Sequence, residues 1–145
     1  MSDYRNLLVC LDLTEDSVRV LERARALAAS TGGTLTLLHV VEYVPVEPMG
    51  EALLPAVQIE AELAERATAQ IAELANRLSL GAAERLVLTG NIKSEVVRVA
   101  QEKRCDLIVI GSRERHGVSI LFNFTEDTVL HAAPCDVLAV RLAKA

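Results

Sequence analysis

The chain has 145 residues, enough for one hydrophobic core, and we expect residues 1–145 to form a single domain. Hydrophobic residues make up 51% of it, yet no apolar run approaches the roughly 18 residues of a membrane span, so no membrane association is expected. The net charge of −5 and the absence of a concentrated basic face argue against nucleic acid as a partner. The first residues lack a secretory signal pattern, which favours a cytoplasmic protein.

Short apolar runs alternate with helical patterns along the chain. The runs predict five strands, at Leu7–Leu13, Thr34–Val41, Arg85–Thr89, Asp106–Ile110 and Val137–Leu142. Apolar residues at helical spacing predict four helices, from the N-cap Thr14 to Gly32, from Ala56 to Leu80, from Ser94 to Lys103 and from Thr125 to Ala133. Glu42–Pro55 contains three prolines and predicts a long exposed loop.

This alternation predicts an α/β fold: a doubly wound, five-stranded, mainly parallel sheet with helices on both faces. The flavodoxin-like order and its relatives fit best. In such sheets ligands bind beyond the carboxyl ends of the strands, where the winding reverses. If the first and fourth strands flank that point, the strand exits at Asp12 and Gly111 meet there.

The residue types that build metal sites and catalytic centres are sparse. The cysteines have no CxxC spacing, so we expect reduced thiols at Cys10, Cys105 and Cys135. His116 and His131 lack ligand partners at suitable spacing, and we expect no metal. His39 lies within a predicted strand and is interpreted as a core imidazole. No catalytic residues are identified, and the chain is not predicted to be an enzyme.

Several segments together resemble the universal stress protein family. They are VCLDLTEDS after the first strand, LLHVV on the second, the turn at Gly90, DLIVIGSRERHG, and VLHAAPCDVLAVRL. The resemblance covers almost the whole chain. It implies the strand order 3-2-1-4-5, a role in the stress response, and a homodimer, often paired through the last strand, here Val137–Leu142. An unidentified protein partner is also expected.

Members of the family that bind ATP carry an Asp after the first strand, backbone of the second strand beside adenine, and the motif G-x-x-G-x9-G-[ST]. The resemblance places three of these positions at Asp12, Val40 and Gly111. Further candidate positions for a nucleotide are Arg113, Gly117 and Thr125. From the residues alone, Asp12 is equally open to interpretation as a structural turn acid.

The chain departs from this motif at its second and third glycines. Glu114 occupies the second position, and the third falls on Phe124 or, with eight intervening residues, on Asn123. Glu126 and Asp127 follow, where a phosphate would approach the helix start. A carboxylate about 5 Å from a phosphate charge costs roughly 3 kcal/mol at an effective dielectric near 20.

Basic residues in the same loop oppose this repulsion, namely Arg113, Arg115 and His116. The balance predicts weak or no ATP binding and no cofactor in a non-catalytic regulatory protein. The alternative is a switch that binds ATP or AMP, or a slow ATPase.

A phospho-acceptor receiver domain has a similar winding but needs different residues. Leu11 and Leu13 flank Asp12 where an acidic cluster would be needed. Thr89-Gly90 stands where the acceptor Asp would follow the third strand, and Arg141 where a Lys would be required. The sequence does not support this function.

Overall fold

The computed structural model describes residues 4–42, 53–112 and 129–142, and only the backbone of residues 53–58. Its strands are β1 (Asn6–Cys10), β2 (Thr34–Glu42), β3 (Glu84–Gly90), β4 (Leu107–Ser112) and β5 (Asp136–Arg141). Its helices are α1 (Ser17–Thr31), α2 (Leu53–Arg77) and α3 (Ile92–Glu102). Residues 129–132 are also helical.

The strands form one five-stranded sheet in the order β3-β2-β1-β4-β5, and all pairs are parallel. The central strand β1 pairs with β2 on one side, where Leu7 lies opposite Leu35, and with β4 on the other, where Leu7 lies opposite Leu107. The doubly wound α/β fold and the order 3-2-1-4-5 are therefore confirmed.

Two hydrophobic clusters cover the two faces of the sheet. Helices α1 and α2 pack on one face, where Leu21 and Ile71 contact the cluster that contains Val9. Helix α3 and residue Val129 pack on the other face, around Ile108. Because both faces of β1 are covered, its side chains read as a continuous apolar run rather than an alternation.

Local signals account for the helix ends. Helix α1 ends at Gly32, which has φ 74° and whose N–H donates to the carbonyl of Ala28. Helix α3 begins after Asn91, whose side-chain oxygen accepts from the N–H of Ser94 at 3.0 Å.

Three predicted boundaries at the exits of β1 and β4 and the start of α1 are wrong. Strand β1 ends at Cys10 rather than Leu13, because Leu13 has φ 61° and turns the chain out of the sheet. Thr14 is not the N-cap of α1; Asp16 occupies that position. Strand β4 continues through Gly111 to Ser112, so the predicted strand exit at Gly111 is also wrong.

Helix α2 begins at Leu53, inside the predicted loop Glu42–Pro55. A proline is compatible with the first helical turn, where backbone N–H groups have no intrahelical partner, so Pro55 does not prevent the earlier start. The predicted start of the last helix at Thr125 lies outside the described residues. None of the helices in the described ranges is long and apolar enough to cross a membrane.

Gly33→Ala should destabilise the fold by about 2 to 3 kcal/mol, because a Cβ at this position would lie 2.5 Å from the backbone oxygen of Tyr4. Urea denaturation measures the change. Gly32→Ala is the matched control: its Cβ would meet open space, and only the positive φ of 74° opposes it, at a cost of about 1 kcal/mol. An equal loss for the two variants would contradict the contact with Tyr4.

Candidate ligand site at the carboxyl edge of the sheet

The central strand is shorter than its two neighbours at the carboxyl edge. The pairing of β1 with β2 ends at Cys10 opposite Leu38, whereas β2 continues to pair with β3 as far as Glu42. On the other side, β1 pairs with β4 only to Val109, and β4 continues beside β5 to Ser112. A notch results, bounded by residues 39–42 of β2 and residues 110–112 of β4, at the point where the winding reverses.

Asp12 stands in the loop between β1 and α1, within this notch. Its Oδ1 accepts hydrogen bonds from the N–H of Thr14 at 3.0 Å, from Oγ1 of Thr14 at 2.8 Å and from Oγ of Ser17 at 3.0 Å. Ser17 is only 2% exposed. Since one carboxylate oxygen organises the turn that leads into α1, the geometry favours the interpretation of Asp12 as a structural turn acid.

Val40 lies on the β2 wall of the notch. It belongs to the part of β2 that extends past β1, and it pairs with Leu88 of β3. Its side chain is buried in the α3 side of the core, so its backbone is the part of the residue at the notch. This placement is compatible with the backbone contact that the family resemblance implies.

Gly111 lies on the β4 wall of the notch, in extended strand conformation. A Cβ there would approach Cδ1 of Leu142 to 2.8 Å and Cγ2 of Val20 to 3.2 Å. Both side chains are buried in the cluster beneath α1. Packing alone therefore explains why a glycine occupies this position, independently of any bound phosphate.

The strand order and register place Asp12, Val40 and Gly111 at the same edge of the sheet; their role in binding stays a prediction. The other candidate positions, Arg113, Gly117 and Thr125, lie outside the described residues.

His39 is a residue of this edge whose contact the sequence did not predict. Its Nδ1 lies 2.7 Å from the carbonyl oxygen of Leu11, the residue before Asp12. The sequence identified it only as a core imidazole, because no local pattern reveals a contact with a residue 28 positions away.

The three cysteines are free thiols on the α3 side of the sheet. Burial raises the pKa of Cys10 to about 12 and that of Cys105 to about 11. Burial also raises the pKa of Cys135. Because the thiolate is the reactive form, these thiols are poor nucleophiles near neutral pH. Within the described ranges, no three His, Cys, Asp or Glu side chains are placed to hold a metal ion.

A separate groove of about 320 Å³ lies between the β1–α1 loop and α2. The residues that line this groove include Leu13, Thr14, Gln70 and Arg77. Val40 and Gly111 are not among these lining residues, so the groove lies beside the notch and on the α2 side of the sheet.

The strand order, the crossovers and the notch define a doubly wound α/β domain with a possible ligand site at its switch point. A sequence model of the universal stress protein family matches residues 3–141. Universal stress protein A homolog 2 of Coxiella burnetii is 36% identical over 143 residues, which cover 98% of each chain. The chain belongs to the universal stress protein family.

Solved structures agree with this fold. The universal stress protein UspA from Lactobacillus plantarum is 25% identical, with a TM-score of 0.73, and the match covers 97% of this chain and 100% of that one. A universal stress protein in complex with cAMP is 22% identical, with a TM-score of 0.72, over 98% of this chain and 100% of its own.

Asp12→Ala should lower the free energy of unfolding by about 1 to 3 kcal/mol, because it leaves the buried hydroxyl of Ser17 without this acceptor. Asp12→Asn keeps an acceptor oxygen, so its free energy of unfolding should fall by less. Thermal and urea unfolding without nucleotide measure both variants. Glu15→Ala, an exposed change in the same loop, should stay within about 0.5 kcal/mol of the unaltered protein. A loss no larger for Asp12→Ala than for Glu15→Ala would exclude the structural role.

Proposed function

We propose that this protein is a cytoplasmic, homodimeric and non-catalytic regulator of the stress response, with an adenine-nucleotide site that binds ATP weakly or not at all. The observation that carries the proposal is the engagement of Asp12 in the loop before α1, where one of its oxygens already accepts three hydrogen bonds. A carboxylate used in this way is a poorer ligand for adenosine.

Carboxylates beside the helix starts support the weakness of phosphate binding. Helices α1 and α3 follow β1 and β3 and begin on the carboxyl side of the sheet, where a helix N-terminus attracts an anion. Glu15 and Asp16 immediately precede α1. Glu95 lies in the first turn of α3, but its charge is offset by the ion pair with Arg98 at 2.7 Å. The sequence adds Glu126 and Asp127 after the glycine motif. A polyphosphate would have to approach several like charges, each with a cost that exposure to water reduces.

The homodimer is supported by the edge position of β5. This strand pairs with β4 and, among the described residues, with no other strand. Its residues Val137 and Leu138 are partly exposed, and an uncovered apolar edge invites pairing with another chain. A second copy that adds its own β5 would cover this edge.

A second candidate is a switch that binds an adenine nucleotide of low charge, such as AMP. The notch at the switch point favours it, as does the structural similarity to a family member in complex with cAMP. A monophosphate or cyclic phosphate would meet less repulsion than a triphosphate.

Calorimetric titration of the full chain with ATP-Mg, AMP and cAMP tests the nucleotide proposal. We expect ATP to bind with a Kd weaker than about 100 µM, since loss of a few kcal/mol removes micromolar affinity. The double variant Glu114→Gly, Phe124→Gly restores the family motif and should tighten ATP binding by about tenfold or more. Glu102→Gly, which replaces an acidic residue at the end of α3, is the matched control and should leave the affinity unchanged.

Micromolar ATP binding by the unaltered chain would contradict the weakened site. Tight binding of AMP or cAMP with weak binding of ATP would favour the second candidate. Binding of none of the three would leave only the non-nucleotide role.

Sedimentation at tens of micromolar protein tests the dimer, and a dimer is expected. Ala139→Lys places a charge on an exposed position of β5 and should shift the protein to monomer. Thr89→Lys is the matched control on an exposed position of β3, the opposite edge of the sheet, and should remain dimeric. Dissociation of both variants, or a monomeric unaltered chain, would exclude the β5 interface.

A further inference from the structure

The imidazole of His39 makes a hydrogen bond to the backbone at the carboxyl edge. Nδ1 lies 2.7 Å from the carbonyl oxygen of Leu11, and the contact is partly buried. A carbonyl oxygen has no proton to donate, so Nδ1 must carry the hydrogen. In the neutral ring Nε2 is then an acceptor.

The carbonyl of Leu11 is the group through which the β1–β2 ladder would continue. Cys10 is the last residue of β1 paired with β2, and the N–H of Leu11 still donates to the carbonyl of Leu38 at 2.9 Å. In a parallel ladder extended by one pair, the Leu11 carbonyl would accept from the N–H of Val40. It accepts from the imidazole of His39 instead.

We infer that His39 is a positioning residue: it ends the β1–β2 ladder at Leu11 and fixes the β1–α1 loop in the notch. Asp12 follows Leu11 directly, so the orientation of the Leu11 peptide sets the position of the Asp12 carboxylate. That carboxylate in turn holds Thr14 and Ser17. The effect on ligand binding rests on the proposed function, whereas the effect on the loop does not.

Replacement of His39 by a side chain without a hydrogen-bond donor would have one of two effects. The Leu11 carbonyl would lose a partner in a partly buried place, or it would move to the N–H of Val40 and lengthen the ladder. Either change displaces Asp12 from the geometry that accepts three hydrogen bonds, and the second also narrows the notch. Asn is the conservative replacement, because its amide N–H can reach a position similar to Nδ1 of His.

Nuclear magnetic resonance of the ¹⁵N-labelled full chain tests the inference. The imidazole of His39 should carry its hydrogen on Nδ1, with a direct coupling to the Leu11 carbonyl. In His39→Leu, hydrogen exchange of the Thr14 amide should accelerate by about tenfold or more relative to the amides of Leu8 and Val9. His39→Asn should restore that ratio to within about threefold.

Val41→Ala is the matched control. Val41 is on the same strand and 6% exposed, so its truncation destabilises the core without removing a donor. The Thr14 ratio should not change in this variant. An unchanged ratio in His39→Leu, an equal change in Val41→Ala, or a hydrogen on Nε2 alone would overturn the inference.

A titration with AMP separates this inference from the proposed function. If the unaltered chain binds AMP, His39→Leu should weaken binding about tenfold more than Leu37→Val does, a change at a fully buried position of β2 outside the notch. Equal losses would overturn the link between His39 and the ligand. If the unaltered chain binds no AMP, the nucleotide switch is excluded, and the exchange ratio alone decides the role of His39.

Discussion

The carboxyl edge of this sheet depends on where β1 stops. The interior of the strand is buried: Leu8 and Val9 are fully inaccessible, and both faces are covered by helices. A strand in this position gains stability with every added pair, so an early end needs a cause. Leu13 supplies one by its left-handed conformation. The imidazole of His39 supplies another, because its Nδ1–H donates to the Leu11 carbonyl that would otherwise accept the next hydrogen bond of the ladder. The notch follows from these two features.

The two edges of the sheet show how carboxylates serve different purposes. At the amino edge, Asp106 accepts from the backbone N–H groups of Arg5 and Asn6 and ties the start of β1 to β4. At the carboxyl edge, Asp12 accepts from Thr14 in its own loop and from Ser17 at the start of α1. The first arrangement closes the sheet, whereas the second keeps a gap of one strand open between β2 and β4.

Most of the fold follows from patterns that the sequence carries locally. The five apolar runs and Gly32 predict where the strands lie and where α1 ends, because burial on two faces and a glycine C-cap leave local signals. The sequence pattern places the start of α3 at Ser94, whereas the helix begins after Asn91. The end of β1 could not be read in this way. Apart from Asp12, the segment LLVCLDL is apolar through Leu13, and the residue that stops the ladder, His39, lies on another strand. Likewise Asp16 is the N-cap of α1 but makes no side-chain capping hydrogen bond. The first residue of α1 is held instead by Asp12, whose Oδ1 accepts from Oγ of Ser17 five residues later, a spacing that no helical capping rule predicts.

Gly111 shows why a single motif residue is weak evidence for ligand binding. It fits the first position of the phosphate motif, but it is also the only residue type that lets Val20 and Leu142 pack against β4 without displacement. Core packing requires a glycine at this position whether or not a phosphate binds. The second and third glycine positions, which carry Glu114 and Phe124 or Asn123, would serve the ligand if they were glycine. A chain in which core packing requires the first glycine, but no phosphate requires the second and third, would therefore keep only Gly111.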